Sequence, residues 1–442
     1  MPYRCKGCGY VSPKWLGRCP GCGVWESFVQ VEESAAESGE AEHNPQPLAQ
    51  VEALSKARVA TGLPETDRIL GGGFIPGSVV LVGGEPGVGK STFLLQLSGA
   101  LATHHGAVLY ISGEESPAQL KLRAQRLGVP QDRLYVLSEQ NLLPMLRAVQ
   151  GLTPVALVVD SLQTVRARQE GGDMGAVPQV REAAGVLARL AKGAGLVCFL
   201  VSHITKGGEF AGPKTVEHLV DVALYLEGSR DGELRLIRSV KNRFGSTDEV
   251  AVLRMAAEGL VEVANPSTFF VSAQGTEQPG SAIVPVLEGS RTLLMEVQAL
   301  LAPASGYGPP QRRGAGLDLN RVLVLLAVLE KHLGIHMGMQ DCYLAVAGGL
   351  EVREPACDLG VIAAVLSSLR VRALPPQTVV LGEVGLAGDV RPVRRGPERL
   401  REVAKLGFRR AILPVQNLPA SLPLEVNQVR TVEEAARALD LT

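Results

Sequence analysis

Gly84-Glu85-Pro86-Gly87-Val88-Gly89-Lys90-Ser91 satisfies the pattern G-x-x-x-x-G-K-[ST] at every fixed position. An apolar run, Ser78–Val82, precedes it, and a helical pattern, Ser91–Thr103, follows. That strand–loop–helix setting turns a short motif into a phosphate site. Glycines let the backbone curl so that successive N–H groups face phosphate oxygens. The helix N-terminus adds its partial positive charge. Residues Gly84 to Thr92 are therefore expected to bind ATP, with Lys90 reaching the β- and γ-phosphates and Ser91 holding Mg2+.

Further strands are expected at Ala107–Ser112, Val155–Asp160, Leu196–Ser202 and Val222–Glu227, with a helix at Ala118–Leu127. These runs are continuously apolar, as in a parallel sheet covered on both faces, so the fold class is α/β. Strand ends on one edge of such a sheet face the ligand. Asp160 ends one strand and is expected to hold Mg2+ together with Ser91. Glu114 and Glu115 end another; Glu114 is the expected base for water, with Glu115 as runner-up. His203 ends a third and is a candidate γ-phosphate sensor. The loops that follow Asp160 and His203 carry Arg166 and Arg168, and Lys206 and Lys214, as candidate DNA contacts.

The chain is 442 residues long, 46% hydrophobic and only 4% aromatic, with a net charge of −1. Large cores are possible, and any surface for nucleic acid must be local. No apolar run reaches the ~18 residues of a membrane span. The first residues have no apolar signal core, so a cytoplasmic protein is expected. Of seven cysteines, Cys5, Cys8, Cys19 and Cys22 crowd into the first 22 residues as two C-x-x-C pairs. Four thiolates at that spacing favour tetrahedral Zn2+ in a closed, structural site, with iron the weaker alternative. A segment of 30 residues cannot build a core unaided, so the metal is expected to fold it. Residues 31–55 read as a flexible linker, with five Glu before residue 43. The expected organisation is a zinc module at 1–30, an ATPase domain at 56–270, a linker at 271–285 and a further α/β domain at 286–442.

The order of four cysteines, GEPGVGKST, YISGEES, VVDSLQT, SHITKGG and Lys241-Asn-Arg-Phe-Gly245 resembles the bacterial RadA (Sms) family of DNA repair proteins over essentially the whole chain. The resemblance implies a RecA-like ATPase core and a hexameric ring like that of DnaB-type helicases. It implies a role in recombination with single-stranded and branched DNA, driving branch migration and D-loop extension, and a partnership with the RecA recombinase. Lys241 and Arg243 are two apart, so on a strand they share one face. Two cations on one face suit phosphate, either of DNA or of ATP in a neighbouring subunit, as an arginine finger does.

Residues 286–442 resemble the protease domain of Lon, through Glu383–Pro392 and a helix at Leu359–Leu369. Alignment on those segments puts Asp358 at the nucleophile position and Pro397 at the lysine position. That pair cannot form a Ser–Lys dyad, so no proteolysis is expected. Residues 391–410 carry eight Lys/Arg and two Glu. Arg394 and Arg395 there, and Arg312 and Arg313 in a Gly/Pro-rich loop, are further candidate DNA contacts. An ATP-dependent protease and a nucleotide-switched DNA-binding protein without translocation are the competing classes.

Overall fold

The computed structural model describes residues 3–5, 11–12, 14–18, 24–30, 47, 58–167, 175–203, 215–229, 232–247, 249–271, 278–304, 308–349, 351–419 and 421–442. Residues 1–55 and 56–442 are two compact units. In the first, β1 (Tyr3–Cys5) pairs antiparallel with β2 (Val11–Ser12) and with β3 (Phe28–Gln30). Phe28 is its buried apolar residue among the described ones, with Tyr3 and Leu16 packed against it. Cys8, Cys19 and Cys22 lie outside the described residues, as do the side chain of Cys5 and, Pro47 apart, the expected linker at 31–55.

The second unit opens on a nine-stranded sheet. Its strands are β4 (Val79–Gly84), β5 (Val108–Ser112), β6 (Leu134–Ser138), β7 (Ala156–Asp160), β8 (Val197–His203), β9 (Val222–Gly228), β10 (Leu234–Asn242), β11 (Val250–Ala256) and β12 (Gly259–Glu262). Their order is β12-β11-β10-β9-β4-β8-β7-β5-β6. From β9 to β6 all neighbours are parallel, and β10 to β12 extend the sheet antiparallel. The expected strands and both expected helices are present, displaced by a residue or two; the helices span Lys90–His104 and Pro117–Arg126. Every residue of β4 is buried. Successive side chains point to opposite faces. Val80 and Val82 thus pack with Phe93 and Leu97 of the helix Lys90–His104, whereas Val79 and Leu81 pack with Leu187 and Ala191 of Val177–Ala194. This two-sided burial is what the continuous apolar runs encode.

A seven-stranded sheet follows, built from β13 (Ser281–Glu288), β14 (Arg291–Pro303), β15 (Arg312–Ala315), β16 (Gln340–Val346), β17 (Thr378–Val380), β20 (Arg410–Pro414) and β21 (Glu425–Val429). The short hairpin of β18 (Glu383–Val384) and β19 (Val390–Arg391) stands apart from it. Two expectations shift here. Residues 281–285 are strand, not linker. Leu236 and Val252 of the first sheet share one apolar cluster with Val284 and Val286 of the second. Arg312 and Arg313 likewise lie on a strand, β15, and not in a loop. No helix among the described residues is long and apolar enough to cross a membrane.

Candidate nucleotide site

The loop Gly84–Ser91 joins the end of β4 to the helix that begins at Lys90. Gly87 and Gly89 take φ of +79° and +111°, where a side chain would be strained. Gly89 is also the helix N-cap, so the first helical N–H groups open into the loop. Lys90 is buried, and its Nζ donates to the carbonyls of Gly84 at 2.8 Å and Glu85 at 3.0 Å. Burial lowers its pKa, while the charges of Asp160 and Glu114 oppose that fall. The lysine therefore stands between the loop and the two carboxylates. Arg235 of β10 braces the loop from behind, its Nε donating to the Val88 carbonyl at 2.7 Å.

The parallel register sets Ser112 beside Asp160, so Glu114 and Asp160 leave the same sheet edge. Asp160 accepts a 2.6 Å hydrogen bond from the Tyr110 hydroxyl. Burial and that carboxylate push the Tyr110 pKa well above its usual value, so the phenol remains a donor. Ser161 Oγ donates to Glu114 Oε1 at 3.1 Å. Glu115 is engaged elsewhere, paired with Arg123 of the following helix. Glu114→Gln is accordingly expected to lower phosphate release by about 100-fold or more, while Glu115→Gln keeps most of it. A larger loss in Glu115→Gln than in Glu114→Gln at saturating ATP would reverse the choice between them.

His203 ends β8 opposite Gly84 in the register; its side chain, and Arg168, Lys206 and Lys214, lie outside the described residues. Sequence reasoning missed three polar groups at this edge. Tyr110 anchors Asp160. Gln163, just past Asp160, donates from Nε2 to Ser202 Oγ at 2.9 Å, and its buried Oε1 has no protein partner. Arg235 holds the loop. A tyrosine inside an apolar strand and an amide two residues after Ser161 were the available signals.

Lys241 and Arg243 do not share a strand face. β10 has a bulge between Ser239 and Lys241 and ends at Asn242, leaving Arg243 in the turn. Lys241 Nζ donates to the Glu217 carbonyl at 2.6 Å. Burial lowers its pKa, and Arg243 lowers it further. Arg243 Nη1 donates to Asp221 Oδ1 at 3.0 Å, and Asp221 Oδ2 accepts from the Val79 N–H at 3.1 Å. Val79 begins the strand that Gly84 ends, and those residues are about 17 Å apart. The two cations thus sit at the end of β4 remote from their own loop.

Among the basic candidates, Arg166, Arg313, Arg394 and Arg395 are exposed. Arg312 instead caps the backbone carbonyls of Met337 and Gln340, so it is spent on structure. Arg399, within the basic run, is fully buried against Glu354 and the Pro285 carbonyl. Asp358 is buried and paired with Arg321, and accepts from the Val384 N–H at 3.1 Å. Burial raises its pKa against the pull of both donors. Pro397 opens the helix Gly396–Lys405, where it has no proton to move. Asp358→Ala is expected to cost about 2 kcal/mol of stability through lost hydrogen bonds, read as a lower denaturant midpoint; an unchanged midpoint would deny it that role.

The loop, Lys90, Ser91 and Asp160 fit a nucleotide with Mg2+ by donor type and position. The match to known proteins agrees. An AAA domain model matches residues 44–209, and a rubredoxin metal binding domain model matches residues 3–30. The chain therefore carries an ATPase domain and an N-terminal ribbon of a metal-binding class. A solved KaiC-like protein from the archaeon Pyrococcus horikoshii aligns with 47% of this chain and 98% of its own, at 22% identity and a TM-score of 0.40. DNA repair protein RadA of Bacillus subtilis is 46% identical over 98% of this chain and 97% of its own length. The Pseudomonas aeruginosa protein of that name is 47% identical over 99% and 98%. The Halalkalibacterium halodurans one is 46% identical over 98% and 97%. Identity of that extent over nearly the whole length of both chains makes this chain a member of the RadA family of DNA repair proteins.

Proposed function

We propose that the chain is a DNA-dependent ATPase of recombinational repair. It works as a ring-shaped, DnaB-like motor on single-stranded and branched DNA, promoting branch migration and D-loop extension. The observation that carries this reading is the position of Lys241 and Arg243. Arg243 is anchored through Asp221 near Val79 and Lys241, at the end of β10, on the Glu217 carbonyl; both are remote from their own Gly84, and Arg243, in the turn, is half exposed. Cations so placed suit the phosphates of a neighbouring copy. Contacts of that head-to-tail kind close into rings, and a hexamer is the expected closure.

Each copy supplies Gly84 to Thr92 for the phosphates and Glu114 to take a proton from water. Ser91 and Asp160 would hold Mg2+, which adds charge against the phosphates. Gln163 and His203, at the same edge, pass the state of the site toward the loops carrying Arg166, Arg168, Lys206 and Lys214. Those loops, with Arg313, Arg394 and Arg395, are the surfaces for DNA; Arg312 is withdrawn from that set. Cys5, Cys8, Cys19 and Cys22 bind a structural Zn2+. Residues 286–442 serve as a Lon-like scaffold without peptidase chemistry. A cytoplasmic location and a partnership with the RecA recombinase belong to the same proposal.

The test is ATP turnover with and without single-stranded DNA, beside a mass measurement of the assembly. We expect DNA to raise turnover several-fold at low salt, with the gain falling steeply as salt releases the phosphate contacts. Turnover indifferent to DNA at every salt would instead indicate a nucleotide switch that does not move.

A further inference from the structure

The two ends of the nine-stranded sheet differ. At one end β12 is tied to the helix Pro64–Ile69, whose Glu65 and Thr66 N–H groups donate to Glu262 at 3.1 and 2.9 Å. At the other end β6 has β5 as its one neighbour among the described residues. Its sequence, Leu134-Tyr-Val-Leu-Ser138, holds neither a charge nor a proline, the residues that commonly blunt an open edge. Tyr135 and Val136 are exposed large hydrophobic residues.

The backbone bonds show which groups face outward. The Val108 N–H donates to the Arg133 carbonyl at 2.9 Å, and the Glu139 N–H donates to the Ser112 carbonyl at 3.2 Å. Alternate residues of a strand turn their backbone groups to the same side. Arg133, Tyr135, Leu137 and Glu139 therefore bond toward β5, whereas Leu134, Val136 and Ser138 turn outward. The Leu134 N–H is taken by the Gln131 carbonyl at 3.1 Å. The Val136 N–H and C=O are left at the centre of an open edge. Side chains alternate in the same way. Leu134 packs with Leu120 of the helix Pro117–Arg126, and Leu137 packs with Leu142 and Met145 of the helix Leu142–Leu152.

Charge around this edge is mostly of one sign. Residues 117–152 hold five cations and two carboxylates, Asp132 and Glu139. Arg123 is paired with Glu115, while Lys121, Arg126, Arg133 and Arg147 are exposed. Glu139 is turned into its own turn, where it accepts from the Gln140 and Asn141 N–H groups at 2.7 and 2.8 Å. Nucleic acid would engage the cations and leave the backbone edge bare. An extended acidic peptide uses the cations, the edge and the apolar side chains together.

We propose that β6 is a docking edge for a partner protein, which adds a segment of alternating apolar and acidic residues as a further strand. Its backbone pairs with Val136, its apolar side chains lie beside Tyr135, and its carboxylates lie on the side of Lys121 and Arg126.

The probes are two fluorescent peptides of about ten residues, one alternating valine with glutamate and the other valine with lysine, titrated into the full chain at low salt. We expect the glutamate peptide to bind at least about tenfold more tightly. Val136→Pro removes the outward N–H and keeps the pairing with β5. It should retain ATP turnover and weaken the glutamate peptide about tenfold, the scale of one net hydrogen bond. The double variant Arg126→Glu, Arg133→Glu should reverse the preference between the peptides, and it decides alone if Val136→Pro loses turnover. No binding of the glutamate peptide, or binding unchanged in either folded variant, would overturn the proposal. So would displacement of the peptide by single-stranded DNA, which would mark a nucleic-acid surface. A lower assembly mass in Val136→Pro would overturn it too, by marking the edge as an interface between copies of this chain.

Discussion

Lys90→Ala is expected to lower ATP turnover by about 1,000-fold, the scale on which a preorganised charge stabilises a transition state. The lysine is the buried cation of the loop, poised on the Gly84 and Glu85 carbonyls between Asp160 and Glu114. Alanine keeps the helix and removes the charge. The Gly84 and Glu85 carbonyls lose a donor, so a modest fall in melting temperature is expected. Phosphate release should nevertheless disappear at temperatures where the variant is fully folded. Turnover close to that of the unaltered chain would remove Gly84–Ser91 from the reaction.

The second large effect is expected at the KNRFG turn. Arg243→Ala should retain ATP binding and lose turnover by about 1,000-fold, as the loss of an arginine finger does. Lys241→Ala should act in the same direction. Arg243 also pairs with Asp221, so its loss has a structural component. Binding and melting measurements distinguish the two. A structural role would lower the melting temperature and weaken ATP binding together. A role in trans leaves the nucleotide bound and the reaction stalled. Full activity in either variant would remove the trans-acting role.

The nucleotide edge was legible because its chemistry is local. A glycine loop between an apolar strand and a helix, and carboxylates at strand ends, are patterns within a dozen residues. The parallel sheet was legible too, since two-sided burial leaves continuous apolar runs such as Val79–Val82. What the sequence concealed depends on distant pairings. Nothing near Arg312 indicates that the carbonyls of Met337 and Gln340 will take up its guanidinium. Nothing near Arg399 reveals Glu354, 45 residues away. Lys241 and Arg243 were expected to share a face because spacing cannot show a bulge after Ser239 or a strand ending at Asn242. The polar run near residue 280 looked like a break, yet β13 begins at Ser281 and its apolar residues join a core with β10 and β11. Charge runs and linkers are compositional readings, and composition does not say which cation is buried.

The central claim, that one copy completes the site of the next, is tested most directly by mixing Lys90→Ala with Arg243→Ala. Neither variant alone should hydrolyse ATP. In mixed assemblies, intact loops of Arg243→Ala subunits meet intact turns of Lys90→Ala subunits, so we expect turnover to return, rising and falling with the ratio of the two. A mixture as inactive as its components, at a mass showing that they co-assemble, would contradict the account.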